Sequence, residues 1–204
     1  MEKLDILRAN SENHTSPGGN VASQTISSRL EFNLGLFSSP TANEFLEKII
    51  SKVESHVRSL YLSDMEDSEK HRVQCRQALI EMENFARDMY SQEGKTPRAT
   101  LGYASILKKV AVVYADVLGQ RVVAALNYDR ANSLLTKMST TYKRYINLYQ
   151  VRGEVYQAQA KLYKGKIKEK YEKKARLDFI IVINLAKAKK KQKLLHAESA
   201  ESKG

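Results

Sequence analysis

The chain has 204 residues, 42% of them hydrophobic, which is enough for one cored domain with polar tails. Its single cysteine, Cys75, excludes an internal disulfide framework, and no apolar run reaches the roughly 18 residues that a membrane-spanning helix needs. The first residues, MEKLDILRANSE, lack the apolar core of a signal peptide and are too acidic for a transit peptide, so we expect a soluble, intracellular protein.

The formal net charge of +11 is distributed unevenly along the chain. Residues 1–95 contain 11 Lys and Arg against 15 Asp and Glu, whereas residues 96–204 contain 23 against 8. Basic side chains are densest over residues 142–176, which contain 11 basic and 3 acidic residues. A merely solvated surface usually mixes the two signs, so this asymmetry predicts an anionic partner, either a lipid surface or a nucleic acid.

The N-terminal part of the chain is predicted to be a disordered tail over residues 1–40. It is rich in Ser, Asn, Thr and Gly and contains SPGG at 16–19, a composition that cannot bury enough apolar surface to fold. The short apolar sequence LEFNLGLF at 30–37 fits either a docking segment or a linker.

A first amphipathic helix is predicted over residues 45–61, where apolar side chains recur at spacings of three and four. Thr41 or Asn43 can cap its first turn, because their side-chain oxygens accept hydrogen bonds from free backbone N–H groups. The acidic sequence SDMEDSE at 63–69 then fits either a turn or a polar stretch that the helix crosses.

A second amphipathic helix is predicted over residues 73–89, and SQEGK at 91–95 ends it. Gly94 suits the stop, because glycine adopts the left-handed conformation that often ends a helix.

The third segment begins at Thr96, which can cap a helix, and Pro97, which suits a first turn. No proline follows, and the apolar spacing alternates between four and three, as in helices that pack at shallow angles. We therefore predict a helical run from 97 to about 176, which would measure about 120 Å at roughly 1.5 Å per residue if unbroken.

Three glycines in this run, Gly119, Gly153 and Gly165, each weaken a helix by about 1 kcal/mol relative to alanine. They are candidate bends, and two long bent helices in antiparallel pairing remain an alternative to one straight helix.

The apolar stripe of the run predicts a seam in a bundle or a dimer. It is wider than the two residues per heptad of a simple coiled coil, which favours a bundle. The tyrosines that recur every seventh residue could instead stack on bases, but a stripe with helical period is more often core. The predicted seam comprises Leu107, Val110, Tyr114, Val117, Leu135, Met138, Tyr142, Tyr145, Tyr149, Tyr156 and Tyr163.

The sequence contains no recognisable catalytic motif. It contains no glycine-rich phosphate loop, no His-Glu-x-x-His and no nucleophile elbow, and its four histidines have no partners at metal-ligand spacing. Cys75 is flanked by Arg72 and Arg76, which could lower its pKa, but we expect a partly buried structural thiol. The sequence predicts a non-enzyme without cofactor or metal.

The dense basic region is the strongest functional signal. Lysine outnumbers arginine there, which fits diffuse attraction to lipid headgroups more than bidentate recognition of bases. Anionic membrane lipids are therefore the preferred partner, with nucleic acid as the alternative. The candidate membrane contacts are Lys143, Arg144, Arg152, Lys161, Lys164, Lys166, Lys168, Lys170, Lys173, Lys174 and Arg176.

The last distinctive segment is DFIIVINLAKAKKKQKLL at 178–195. Its apolar run is too short to span a membrane, and five lysines follow between 187 and 193. It fits shallow insertion into a leaflet, a partner-docking segment or a nuclear signal. Residues 187–204 are predicted to be a basic, frayed tail.

Three sequences, in this order along the chain, resemble the BAR-domain superfamily and within it the Chibby-interacting BAR family. They are VESH at 53–56, EKHRVQCRQAL at 69–79, and NFARDMYSQEGKTPRATLG at 84–102, which crosses a polar turn into the next helix. The resemblance covers roughly residues 45–150.

The resemblance implies an all-α fold, an elongated antiparallel coiled-coil or three-helix BAR-like bundle over residues 41–186. It implies a homodimer that lays basic residues on curved anionic membranes and so senses or shapes their curvature. It also implies a coiled-coil partner at the base of cilia. The alternatives from the residues alone are a basic helical nucleic-acid-binding protein and a coiled-coil adaptor.

Overall fold

The structure is a computed structural model that describes residues 36–201, with side chains described for 36–64 and 67–194. This part of the chain is all-α, as predicted, and contains six helices and no strand. The helices are α1 (Pro40–Leu62), α2 (Met65–Gln92), α3 (Pro97–Asp116), α4 (Arg121–Thr141), α5 (Ile146–Ala160) and α6 (Gly165–Glu201).

Each helix packs on the next one in the chain, and α3 also packs beside α5. In the last hairpin, Arg152 of α5 pairs with Asp178 of α6, while Tyr156 lies against Tyr171, nearer the connecting turn. Every helix therefore buries part of its apolar surface against a neighbour in the same chain.

Helix α1 begins earlier than the sequence predicted. Ser39 is its cap, and its Oγ accepts a hydrogen bond of 3.2 Å from the backbone N–H of Ala42. The expectation that Thr41 or Asn43 caps the helix is wrong. The Asn43 side chain instead holds the backbone N–H and carbonyl of Phe37, at 3.1 and 3.0 Å, and the ring of Phe37 is fully buried. Of the apolar sequence at 30–37, the two described residues therefore dock on the bundle.

Turns stand at both ends of α2: of the two alternatives for residues 63–69 the turn is observed, and the predicted stop at Gly94 is confirmed. The acidic sequence at 63–69 contains the break between α1 and α2, and Gly94 follows α2 with a φ of +68°. Thr96 then caps α3 by accepting a hydrogen bond of 3.2 Å from the backbone N–H of Ala99.

The prediction of one long helix from 97 to about 176 is wrong. Three turns divide this part of the chain into α3, α4, α5 and the start of α6. Two of the predicted bends lie at these turns: Gly119 is inside the first, and Gly165 follows the last as the first residue of α6, with φ of +68° and +56°. Glycine suits both positions because other residues rarely adopt a positive φ. The middle turn, residues 142–145, contains no glycine or proline. The predicted division at residue 186 is not marked by a break, since α6 continues through it.

Gly153 is not a bend. It lies inside α5, where a Cβ would meet the ring of Phe179 at 2.7 Å. The missing side chain therefore lets α6 approach α5 closely.

The predicted seam is mostly covered within this one chain. Tyr142 and Tyr145 are the exceptions, because they are the first and last residues of the unpredicted turn and are exposed. The buried members are Leu107, Val110, Tyr114, Leu135, Met138 and Tyr149, and the half-buried ones are Val117, Tyr156 and Tyr163.

The thiol of Cys75 is buried in the core, and its burial is complete where the sequence predicted a partly buried one. Burial raises its pKa from 9.0 to about 11, and the neighbouring Arg76 lowers it by less. Cys75 therefore stays protonated at neutral pH, unlike a reactive cysteine.

We expect Cys75 to alkylate far more slowly in the folded protein than in urea. The free energy of unfolding should also fall as the pH rises from 9.0 towards 11, because the thiol ionises in the unfolded chain before it does in the folded protein. Iodoacetamide kinetics and urea titrations measure both, with Cys75→Ala as the control that lacks this pH dependence. Equal alkylation rates in both states would contradict the buried position.

Candidate membrane-binding face of helix α6

The structure gathers most of the predicted basic contacts at the α5–α6 turn and in the first turns of α6. All of these side chains are exposed, so they remain available to an anionic surface. They are Lys161, Lys164, Lys166, Lys168, Lys170, Lys173, Lys174 and Arg176.

Lys143 and Arg144 are also exposed, but they lie elsewhere, in the α4–α5 turn. The 15 residues of α5 separate this turn from the α5–α6 turn, a span of about 22 Å at roughly 1.5 Å per residue. The structure therefore does not bring these two residues together with the main basic group.

Arg152 is not available as a membrane contact, which corrects the sequence prediction. Its Nε and Nη2 donate to the two carboxylate oxygens of Asp178 at 2.8 and 2.7 Å. The two side chains are only 13% and 4% exposed, and the paired carboxylate raises the pKa of Arg152. Its Nη1 also donates to Ser139 Oγ at 3.1 Å, so this guanidinium ties α4, α5 and α6 together.

The inner face of α6 packs on α5 and contains four of the six apolar residues at 179–185. Val182 and Leu185 point inward and pack on a small cluster that contains Leu148 and Tyr149. The ring of Phe179 lies against Gly153.

The other two apolar residues of the run point away from the bundle. Ile180 and Ile183 are each 52% exposed, and Leu177, which precedes the run, is 53% exposed. These three residues recur every third position, so they lie on one side of the helix.

Basic side chains lie on the same side, before and after the three apolar residues. We name this surface the outer face of α6, and every residue in it is exposed. It comprises Lys173, Arg176, Leu177, Ile180, Ile183, Asn184, Lys187, Lys190, Lys191 and Leu194. An apolar centre between basic ends is typical of helices that lie in the interface of an anionic membrane.

The tyrosine row serves packing between α5 and α6 rather than an open stacking surface. The rings of Tyr156 and Tyr163 lie 6.2 and 5.5 Å from that of Tyr171, and Tyr149 is buried. Lys174 Nζ lies 5.1 Å from the Tyr156 centroid, so this lysine covers the tyrosine cluster.

Sequence reasoning missed two features of this site, the role of Asp178 and the membership of Leu177 in the outer face. The burial of Asp178 has no local signal, because its partner Arg152 lies 26 positions away. The three-residue spacing of Leu177, Ile180 and Ile183 is a signal for a second apolar side.

None of the helices in the described part of the chain is long and apolar enough to cross a membrane. Among the described side chains, no three His, Cys, Asp or Glu residues gather as a metal ion would require. Comparisons of the chain with protein-family models, curated proteins and solved structures found no match.

Proposed function

We propose that this chain is a non-enzymatic protein that binds anionic membrane surfaces through the outer face of α6. The observation that carries the proposal is the line of Leu177, Ile180 and Ile183, each about half exposed, between basic side chains on the same helix. Exposed apolar groups in such a line are costly in water and favour a surface that removes them from it.

Two contributions to binding add together. Burying a Leu or Ile side chain fully is worth about 1.5–3 kcal/mol, so three half-exposed ones contribute roughly 2–4 kcal/mol. Each Lys or Arg beside an anionic leaflet adds up to about 1 kcal/mol. Neither contribution alone anchors a protein firmly, whereas both together support reversible peripheral binding.

Sedimentation with vesicles tests this function. We expect binding to vesicles that contain phosphatidylserine and little binding to pure phosphatidylcholine. High salt should weaken binding, because the Debye length falls from about 10 Å at 0.1 M to about 3 Å at 1 M.

Parallel assays with duplex and single-stranded nucleic acid separate the alternatives. Tight nucleic-acid binding without vesicle binding would reverse the proposal in favour of a nucleic-acid-binding protein. Binding to neither would favour a coiled-coil adaptor for acidic proteins.

A more specific proposal is that the chain forms a BAR-like dimer, which senses or shapes curved membranes and acts at the base of cilia. It rests on the resemblance of residues 45–150. Because this chain covers most of its own seam, a dimer must add contacts beyond that seam. Light scattering tests this part: a dimer mass supports it, and a monomer mass removes it while leaving binding by the outer face intact.

A further inference from the structure

A groove of about 530 Å³ runs between α5 and α6, beside the outer face. Ala160 and Ala175 form its floor together with Phe179. The two alanines are small and leave space between the helices, and the absence of a side chain at Gly153 lets the Phe179 ring lie close to α5.

Three basic side chains surround the groove. Lys161 comes from the end of α5, and Lys168 and Arg176 come from α6. Glu172 also lines it and lies 3.7 Å from Lys168, a long and exposed pair that contributes little. The groove thus carries a net positive charge above an apolar floor.

A second cavity, of about 300 Å³, lies between α3, α4 and α5 and differs in its charge. There Lys108 is already paired with Glu154 at 2.5 Å, and Asp116 also lines the wall. Three basic side chains, Lys108, Arg121 and Lys161, line it against two carboxylates. Its net charge is therefore +1, compared with +2 for the α5–α6 groove, so an anion gains less there.

The α5–α6 groove is continuous with the outer face, because Arg176 belongs to both. Ile180 lies one helical turn further along α6. When Ile180 enters the acyl region of a leaflet, Arg176 and the mouth of the groove lie at the level of the headgroups.

We infer that this groove binds the phosphate group of one anionic lipid, an inference that rests on the proposed membrane function. Lys161, Lys168 and Arg176 surround the phosphate, and Phe179 contacts the apolar part of the lipid. A positive rim above an aromatic floor matches a headgroup with its acyl chain better than a free ion, which uses only the rim. The membrane contact is therefore a specific site beside a diffuse basic surface.

The chain offers two matched triple variants for the test. The groove variant carries Lys161→Gln, Lys168→Gln and Arg176→Gln. The control variant carries Lys48→Gln, Lys70→Gln and Lys137→Gln, which also removes three exposed charges but none from the outer face. The control residues do not line the groove.

The probe is short-chain phosphatidic acid below its micelle concentration, titrated by calorimetry, with inorganic phosphate in a parallel titration. We expect one site per chain, at least tenfold weaker in the groove variant and within about twofold of the parent in the control. We also expect inorganic phosphate to bind at least tenfold more weakly than the lipid.

Three results would overturn the inference: equal losses in the two variants, no binding of the short-chain lipid, or inorganic phosphate binding as tightly as the lipid. Vesicle sedimentation separates this failure from failure of the proposed function. Vesicle binding that needs the apolar residues of the outer face but not the groove cations would leave the function standing without this site.

Discussion

Replacing Leu177, Ile180 and Ile183 by serine is expected to weaken partitioning onto anionic vesicles about 100-fold. Each half-exposed side chain contributes roughly 1 kcal/mol on insertion, and about 1.4 kcal/mol corresponds to a factor of ten in affinity. The fold should survive, because these side chains point away from the bundle. Vesicle sedimentation over a range of lipid concentrations measures the partition coefficient, and circular dichroism measures the helix content.

The matched control changes two apolar residues that are more exposed but lie on α4. Val122 and Leu126 are 75% and 59% exposed, and their replacement by serine should change partitioning less than twofold. If the α6 variant binds as tightly as the parent, or if the α4 variant loses as much, the outer face is not the membrane contact.

Replacing Asp178 by alanine is expected to lower the free energy of unfolding by about 3–5 kcal/mol. The change leaves the guanidinium of Arg152 largely buried without its carboxylate, and breaking a buried ion pair on one side has a cost of this order. Urea titration followed by circular dichroism measures it.

Two further variants calibrate that result. Arg152→Met combined with Asp178→Leu should recover much of the loss, because replacing both charges by apolar groups removes the uncompensated one. Glu81→Ala, which breaks an exposed pair with Lys52 at 2.9 Å, should cost less than about 1 kcal/mol. A loss for Asp178→Ala no larger than that for Glu81→Ala would show that the pair does not hold α6 on the bundle.

The fold class and the first helices follow from local signals in the sequence. These signals act within a few residues, so the sequence alone shows them: they are the cap at Thr96, the stop at Gly94 and the apolar spacing of α1 and α2. The turn at 142–145 has no such signal. The apolar spacing of three and four continues across it, because two shorter helices that pack on the same core need the same spacing as one long helix.

The candidate site was predictable in its charge but not in its geometry. The exposed lysines of α6 follow from composition, whereas the burial of Arg152 depends on Asp178, which lies 26 positions away. Likewise, the run at 179–185 contains both inward and outward residues. Only the position of α5 decides that Val182 packs inward and Ile180 points outward.

The contact between the outer face and the membrane is tested most directly with an environment-sensitive fluorophore attached to the variant Ile180→Cys. The buried thiol of Cys75 should take up little reagent, and the same label on Leu126→Cys is the control. On addition of vesicles that contain phosphatidylserine, we expect a blue shift and increased intensity at position 180 and no change at position 126. An unchanged spectrum at position 180 while the protein sediments with the vesicles would contradict the assignment of the outer face.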